Sequence, residues 1–208
     1  MAQVNVSPYI IVTGTIGAGK SVLCRKLAQK FNWKEFTEPV ESNPYLDDFY
    51  KNMKETSFQM QLYLLFERFK QHKMIEACSG GVVQDRSMYC AKVFAKMLKE
   101  DHMINDRDYA TYINMSNTFE SILQKEHKRQ PTLMIYLDCK PEVAMQRIKN
   151  RNRECEKAID LNYLQRLQTG YAEFLQQTYI PVLRINWDEF KSVDYVWQAI
   201  QSHLSKQL

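Results

Sequence analysis

The chain has 208 residues, 45% of them hydrophobic, and its 28 basic and 24 acidic side chains leave a net charge of +4. That is enough apolar material for one substantial core in a single domain spanning 1–208, and the charges interleaved through Lys51–Glu55 and Lys125–Arg129 lack the clustered basic face of a nucleic-acid binder. Five cysteines (Cys24, Cys78, Cys90, Cys139, Cys155) form an odd set without C-x-x-C spacing, which excludes a disulfide framework and a zinc site and predicts reduced packing thiols.

In chain order, Met1–Ser7 carries neither a basic region nor an apolar stretch, and no segment approaches the length of a membrane span, so a cytoplasmic protein without a membrane partner is expected. Tyr9–Val12 reads as a short buried strand. It runs into Gly14-Thr15-Ile16-Gly17-Ala18-Gly19-Lys20-Ser21, which satisfies G-x-x-x-x-G-K-[ST] at every constrained position. Glycines let backbone N–H groups converge on phosphate oxygens, Lys20 adds a mobile positive charge, and the Ser21 hydroxyl is placed to ligate Mg²⁺. Val22, Leu23, Leu27 and Phe31 then recur at helical spacing, giving the strand, loop and helix that this motif requires. A nucleotide phosphate is the ligand to expect.

Further strands are predicted at Lys34–Phe36, Gly81–Gln84, Leu133–Leu137 and Val182–Ile185. Amphipathic helices are predicted at Phe58–Ala77, at Asp106–Glu126 behind an Asn105 cap with Tyr109, Tyr112, Ile113, Phe119, Ile122 and Leu123 on its apolar side, and at the C-terminus through Val193, Val196, Trp197, Ile200 and Leu204. These stripes are core or dimer contact and not a ligand site. The alternation implies an α/β fold, a five-stranded parallel sheet with helices on both faces.

Ligands of open α/β sheets bind at strand ends, and three clusters fall there. Glu38-Pro39-Val40 follows the second strand, Asp85-Arg86-Ser87 the third, and Arg147, Arg151 and Arg153 with Glu156 the fourth. With the phosphate loop, these motifs in this order resemble the deoxynucleoside kinase family over nearly the whole chain, and Glu38 to Tyr50 is most like the small bacterial-type deoxyadenosine and deoxyguanosine kinases. The resemblance implies a phosphate-loop NTPase-like fold, a homodimer, ATP and Mg²⁺, and a deoxynucleoside acceptor.

It also implies residue roles. Glu38 matches the general base that accepts the 5′-hydroxyl proton, a task suited to a carboxylate at a strand end. Asp85 joins Ser21 at Mg²⁺. Arg86 contacts the 5′-oxygen and the transferring phosphoryl group, and Arg147, Arg151 and Arg153 form a lid near 147–156 that brings guanidinium groups to the ATP phosphates. Gln61 pairs with the base, Arg68 lies near it, Phe94 stacks on it, and Tyr50 and Glu156 hold the deoxyribose 3′-hydroxyl; Gln61 and Arg68, seven residues apart, share a helix face. Two departures concern the base: Ala91 stands where the base-selective kinases usually carry the aspartate that partners Arg68, and Ala95 occupies the place of the stacking aromatic in animal enzymes. A purine preference with some breadth follows.

A thymidylate kinase-like enzyme is the alternative. That family has a glycine-rich continuation after its Glu-Pro and an acidic residue in its phosphate loop, where this chain has Val40-Glu41 and Thr15-Ile16. A nucleotide-binding module without catalysis is disfavoured by competent residues at every proposed position, and a GTPase by the lack of N-K-x-D.

Overall fold

The computed structural model describes residues 7–40, 42–126 and 128–205; Glu41 and the side chain of Cys155 fall outside the described residues. Five strands, β1 Tyr9–Thr13, β2 Lys34–Phe36, β3 Val82–Asp85, β4 Leu133–Asp138 and β5 Val182–Asn186, form one sheet in the order β2-β3-β1-β4-β5, every pair parallel. Eight helices accompany them among the described residues: α1 Lys20–Phe31, α2 Leu46–Lys51, α3 Met53–Glu76, α4 Ala91–Glu100, α5 Asp106–Lys125, α6 Pro141–Arg151, α7 Leu161–Gln177 and α8 Val193–Ser205. None is long and apolar enough to cross a membrane.

Alternation along β1 divides the core. Ile10 and Val12 pack on one face with Leu23, Cys24 and Leu27 of α1 and Val196 and Ile200 of α8, whereas Tyr9 and Ile11 pack on the other with Leu65 and Ile75 of α3, Ala91 and Ala95 of α4 and Tyr112 and Leu123 of α5. Parallel strands need crossovers, and helices that bury an apolar stripe supply them on both faces. Cys24, Cys78, Cys90 and Cys139 are free thiols, three of them buried.

All five expected strands exist, with ends shifted by one residue or less. The helices needed more correction. α3 begins five residues before Phe58, because Met53 to Ser57 is a mostly polar first turn that carries no apolar period. Val22, one position off the Leu23 and Leu27 stripe, is 48% exposed, and Ile122 also faces outward. Asn105 caps α5 as expected, its side chain accepting from Asp108 N. β5, at the sheet edge, buries Ile185 but not its neighbours.

The chain fills one side of β1 with β3 and β2, then crosses to β4 and β5. Strand order therefore reverses at β1, and the crevice beyond its C-terminal end is where such sheets bind ligands. Register brings Asp85 beside Val12 and Tyr136 beside Thr13 at that end, directly under the loop from Gly14 to Gly19.

Candidate active site

The phosphate loop is a close-packed shell. Gly17 and Gly19 have φ of 79° and 92°, a conformation that favours glycine, and a Cβ on Gly17 would stand 2.5 Å from the Ala144 carbonyl oxygen of α6. Lys20 folds back over it and donates to Thr15 O at 2.8 Å. Burial, with Arg86 close by, lowers the lysine to about 8. Asp85 and Glu38 offset this only in part, and an arriving phosphate would add a further anion beside the ammonium.

Ser21 Oγ donates to Asp85 Oδ2, and burial raises the Asp85 carboxyl above its ordinary value. Asp85 Oδ1 is buried without a hydrogen-bond partner. A hydroxyl beside a carboxylate with one unsatisfied oxygen fits a divalent cation. Among the described residues no group of three or more His, Cys, Asp or Glu could hold a metal.

Beside the loop opens a cavity of about 490 Å³, lined by Lys20, Ser21, Glu38, Tyr50, Gln61, Arg68, Arg86, Phe94, Arg151, Arg153 and Glu156 among others. Most of the expected site residues, spread from Lys20 to Glu156, therefore meet at one cleft. Ala91 does not line it; it is buried in the core cluster shared by α3, α4 and α5.

Glu38 is the electrostatic centre of the cleft. Its Oε1 accepts from Arg68 Nη2 at 2.5 Å and its Oε2 lies 3.2 Å from Arg86 Nε. Burial alone would raise its carboxyl, but Arg86, Arg68 and Lys20 together outweigh that and hold it below the ordinary glutamate value. The absent aspartate at position 91 is thus replaced as the partner of Arg68 by Glu38 itself.

Arg86 is held from three sides. Its φ of 60° is left-handed, its Nη1 donates to Tyr171 OH, and its Cζ sits 4.6 Å over the Phe94 ring. Such backbone strain, about 1–3 kcal/mol, persists where surrounding contacts over-determine the residue.

Arg151 grips Glu156 in a bidentate pair, Nη2 reaching both carboxylate oxygens at 2.6 Å, and Arg153 Nη1 lies 3.7 Å from the same carboxylate. Arg147 is differently placed from the lid position expected of it. It donates to Ala18 O at 3.1 Å and to Trp187 O and Asp188 O at 2.9 Å each, with its Cζ 4.1 Å over the Phe190 ring, so it ties α6 to the back of the phosphate loop and does not line the cleft. It shares a helix face with Arg151 but sits one turn, about 6 Å, nearer the start of α6, beside the phosphate loop, whereas Arg151 ends the helix.

Sequence reasoning missed Met60, Leu64, Tyr163 and Tyr171. Met60 and Leu64 line the cleft beside Gln61, and their four-residue spacing back from Arg68 was the signal for them. Tyr163 and Tyr171 belong to α7, a helix that none of the predicted spans covered.

The model of the deoxynucleoside kinase family matches residues 10–207. A deoxyadenosine kinase of Dictyostelium discoideum is 45% identical over 196 residues, covering 93% of this chain and 78% of the relative, and a deoxyadenosine/deoxycytidine kinase of Bacillus subtilis is 36% identical, covering 87% and 83%. Among solved structures, deoxyadenosine kinase from M. mycoides with bound dATP superposes with a TM-score of 0.82 at 30% identity, covering 93% of this chain and 99% of that one. Agreement in sequence along nearly the whole chain and in backbone geometry makes this protein a member of the deoxynucleoside kinase family.

Proposed function

We propose that the protein transfers the γ-phosphoryl group of ATP to the 5′-hydroxyl of a purine deoxyribonucleoside, with secondary activity on pyrimidines, giving ADP and the 5′-monophosphate. The observation that carries this reading is the convergence of Lys20, Glu38, Arg86, Gln61, Arg68 and Phe94 on one cleft. Glu38 accepts the hydroxyl proton as the oxygen attacks the γ-phosphorus. Lys20 and Arg86 stabilise the charge spread over the transferring group, and Arg151 and Arg153 add to it when Glu156 turns to the sugar 3′-hydroxyl beside Tyr50. Mg²⁺, held through Ser21 and Asp85, would neutralise the phosphate charge. Gln61 offers one donor group and one acceptor to a base edge, and Phe94 offers a ring face. One relative named for deoxyadenosine and another named for deoxyguanosine support the purine preference, and the Bacillus subtilis relative named for deoxyadenosine and deoxycytidine supports the breadth. The same reading makes residues 1–208 one kinase domain with a lid near 147–156, acting as a homodimer in the cytoplasm; light scattering tests the dimer.

The test is a panel of the four deoxynucleosides and dTMP with ATP and Mg²⁺. Deoxyadenosine or deoxyguanosine is expected to have the highest kcat/KM, with measurable turnover of deoxycytidine or thymidine. Thymidine ranking first refutes the purine preference, and dTMP ranking first refutes the acceptor.

A further inference from the structure

Both oxygens of Glu38 face a guanidinium group, but the two partners are held differently. Arg86 is fixed by its backbone, by Tyr171 and by the Phe94 ring. Among the described residues Arg68 is anchored by α3 and by Glu38 Oε1 alone, and its Nε, like that of Arg86, is buried with no hydrogen-bond acceptor. Its side chain is 3% exposed and lines the cleft on the same helix face as Gln61. A buried charged donor left unsatisfied is unfavourable, and an acceptor atom entering the cleft along that wall would relieve it. The oxygen that Arg68 engages is one of the two that could take the proton of an attacking hydroxyl.

We propose that Arg68 is a positioning residue that restrains Glu38 in the ligand-free protein and is drawn off by an acceptor atom of the nucleobase, so that recognition of the base frees the carboxylate for proton transfer. This rests on Glu38 being the proton acceptor. Its consequence concerns water. A free Glu38 beside bound ATP can take a proton from water as the water oxygen attacks the γ-phosphorus, the bond to the β-phosphate oxygen breaks, and ADP and inorganic phosphate leave. With Oε1 engaged by Arg68, that reaction is suppressed until a nucleoside arrives and supplies a better-placed hydroxyl.

The experiment measures phosphate release from ATP and Mg²⁺ without nucleoside, in wild type, Arg68→Met, Arg68→Lys, and Arg68→Met combined with Glu38→Gln. Arg68→Met is expected to hydrolyse ATP roughly 10- to 100-fold faster than wild type, the scale of a lost charge-assisted hydrogen bond. Arg68→Lys falls between, and adding Glu38→Gln returns the rate to the wild-type level or below. In the phosphorylation assay Arg68→Met raises the deoxynucleoside KM more than it lowers kcat. A second arm leaves Arg68 in place: 2′,5′-dideoxyadenosine, which keeps the base and lacks the reacting hydroxyl, stimulates hydrolysis by wild type and not by Arg68→Met. Arg68→Met hydrolysing no faster than wild type while folded overturns the restraint. Should that variant not fold, absence of stimulation by the dideoxy compound in wild type overturns the proposal by itself. Failure of the underlying reading looks different, since Glu38→Gln alone would then phosphorylate deoxynucleosides with a kcat within about threefold of wild type.

Discussion

Replacing Tyr171 by Phe removes one oxygen atom and tests whether Arg86 is held in place by contacts behind the cleft. Tyr171 is fully buried on α7, accepts from Arg86 Nη1, and accepts from Thr13 Oγ1 at 3.3 Å, which links it to the strand that leads into the phosphate loop. Water cannot readily stand in at a site this closed, so the substitution leaves a guanidinium donor and a threonine hydroxyl without their acceptor. A hydrogen bond to a charged group is worth about 1.5–3 kcal/mol. Two anchors of Arg86 survive, Glu38 and the Phe94 ring, the latter worth about 0.5–2 kcal/mol, so the arginine stays near the cleft but is aimed less well. We expect kcat to fall about 10- to 100-fold, roughly 1.4–2.7 kcal/mol in the barrier. The KM for ATP should change by less than about threefold, because the phosphate loop and Lys20 are untouched. Steady-state kinetics with both substrates, run beside thermal unfolding, reads the two parts separately. If stability drops by about 2 kcal/mol while kcat stays within about twofold of wild type, the hydroxyl holds the fold together and does not aim Arg86.

Glu38→Gln is expected to lower kcat by roughly two to four orders of magnitude with nucleoside binding retained, and a loss of less than about threefold, with chemistry shown to be rate-limiting, would remove it from the role of base. Tyr50→Phe with Glu156→Ala should narrow the preference for substrates bearing a 3′-hydroxyl over their 3′-deoxy counterparts; because Glu156 also carries Arg151, kcat should fall as well. Matched kinetics on such pairs decide it, and an undiminished preference means the sugar is held elsewhere. His72 is buried between the Tyr9 and Tyr89 rings, and burial lowers its value to about 4 from 6.5. The unfolded chain therefore binds this proton first, and the stability His72 contributes as a neutral ring is present above pH 6.5 and lost as pH falls towards about 4. Thermal melts across that window should drop less steeply for His72→Phe than for wild type, and parallel curves would refute the assignment.

The sequence by itself determined the phosphate loop, the five strands and the strand ends at which chemistry was to be sought. Those features are local: a loop that must bring backbone N–H groups to a phosphate needs its glycines at fixed spacing, and a short buried strand is a short apolar run whatever lies elsewhere in the chain. Tertiary structure decided the partners. Arg68 and Glu38 are 30 residues apart, and Arg86 and Tyr171 are 85 apart. They meet because the order β2-β3-β1-β4-β5 sets the ends of β2 and β3 beside the loop after β1 and lets α3 and α7 close over them. No periodicity within one helix encodes such a meeting. The same limit explains Arg147 and Arg151: four residues apart on one face of α6, they read alike in sequence, yet one caps carbonyls behind the phosphate loop and the other, at the helix end, reaches into the cleft, because which turn of α6 meets the loop is fixed only when helix and sheet pack together.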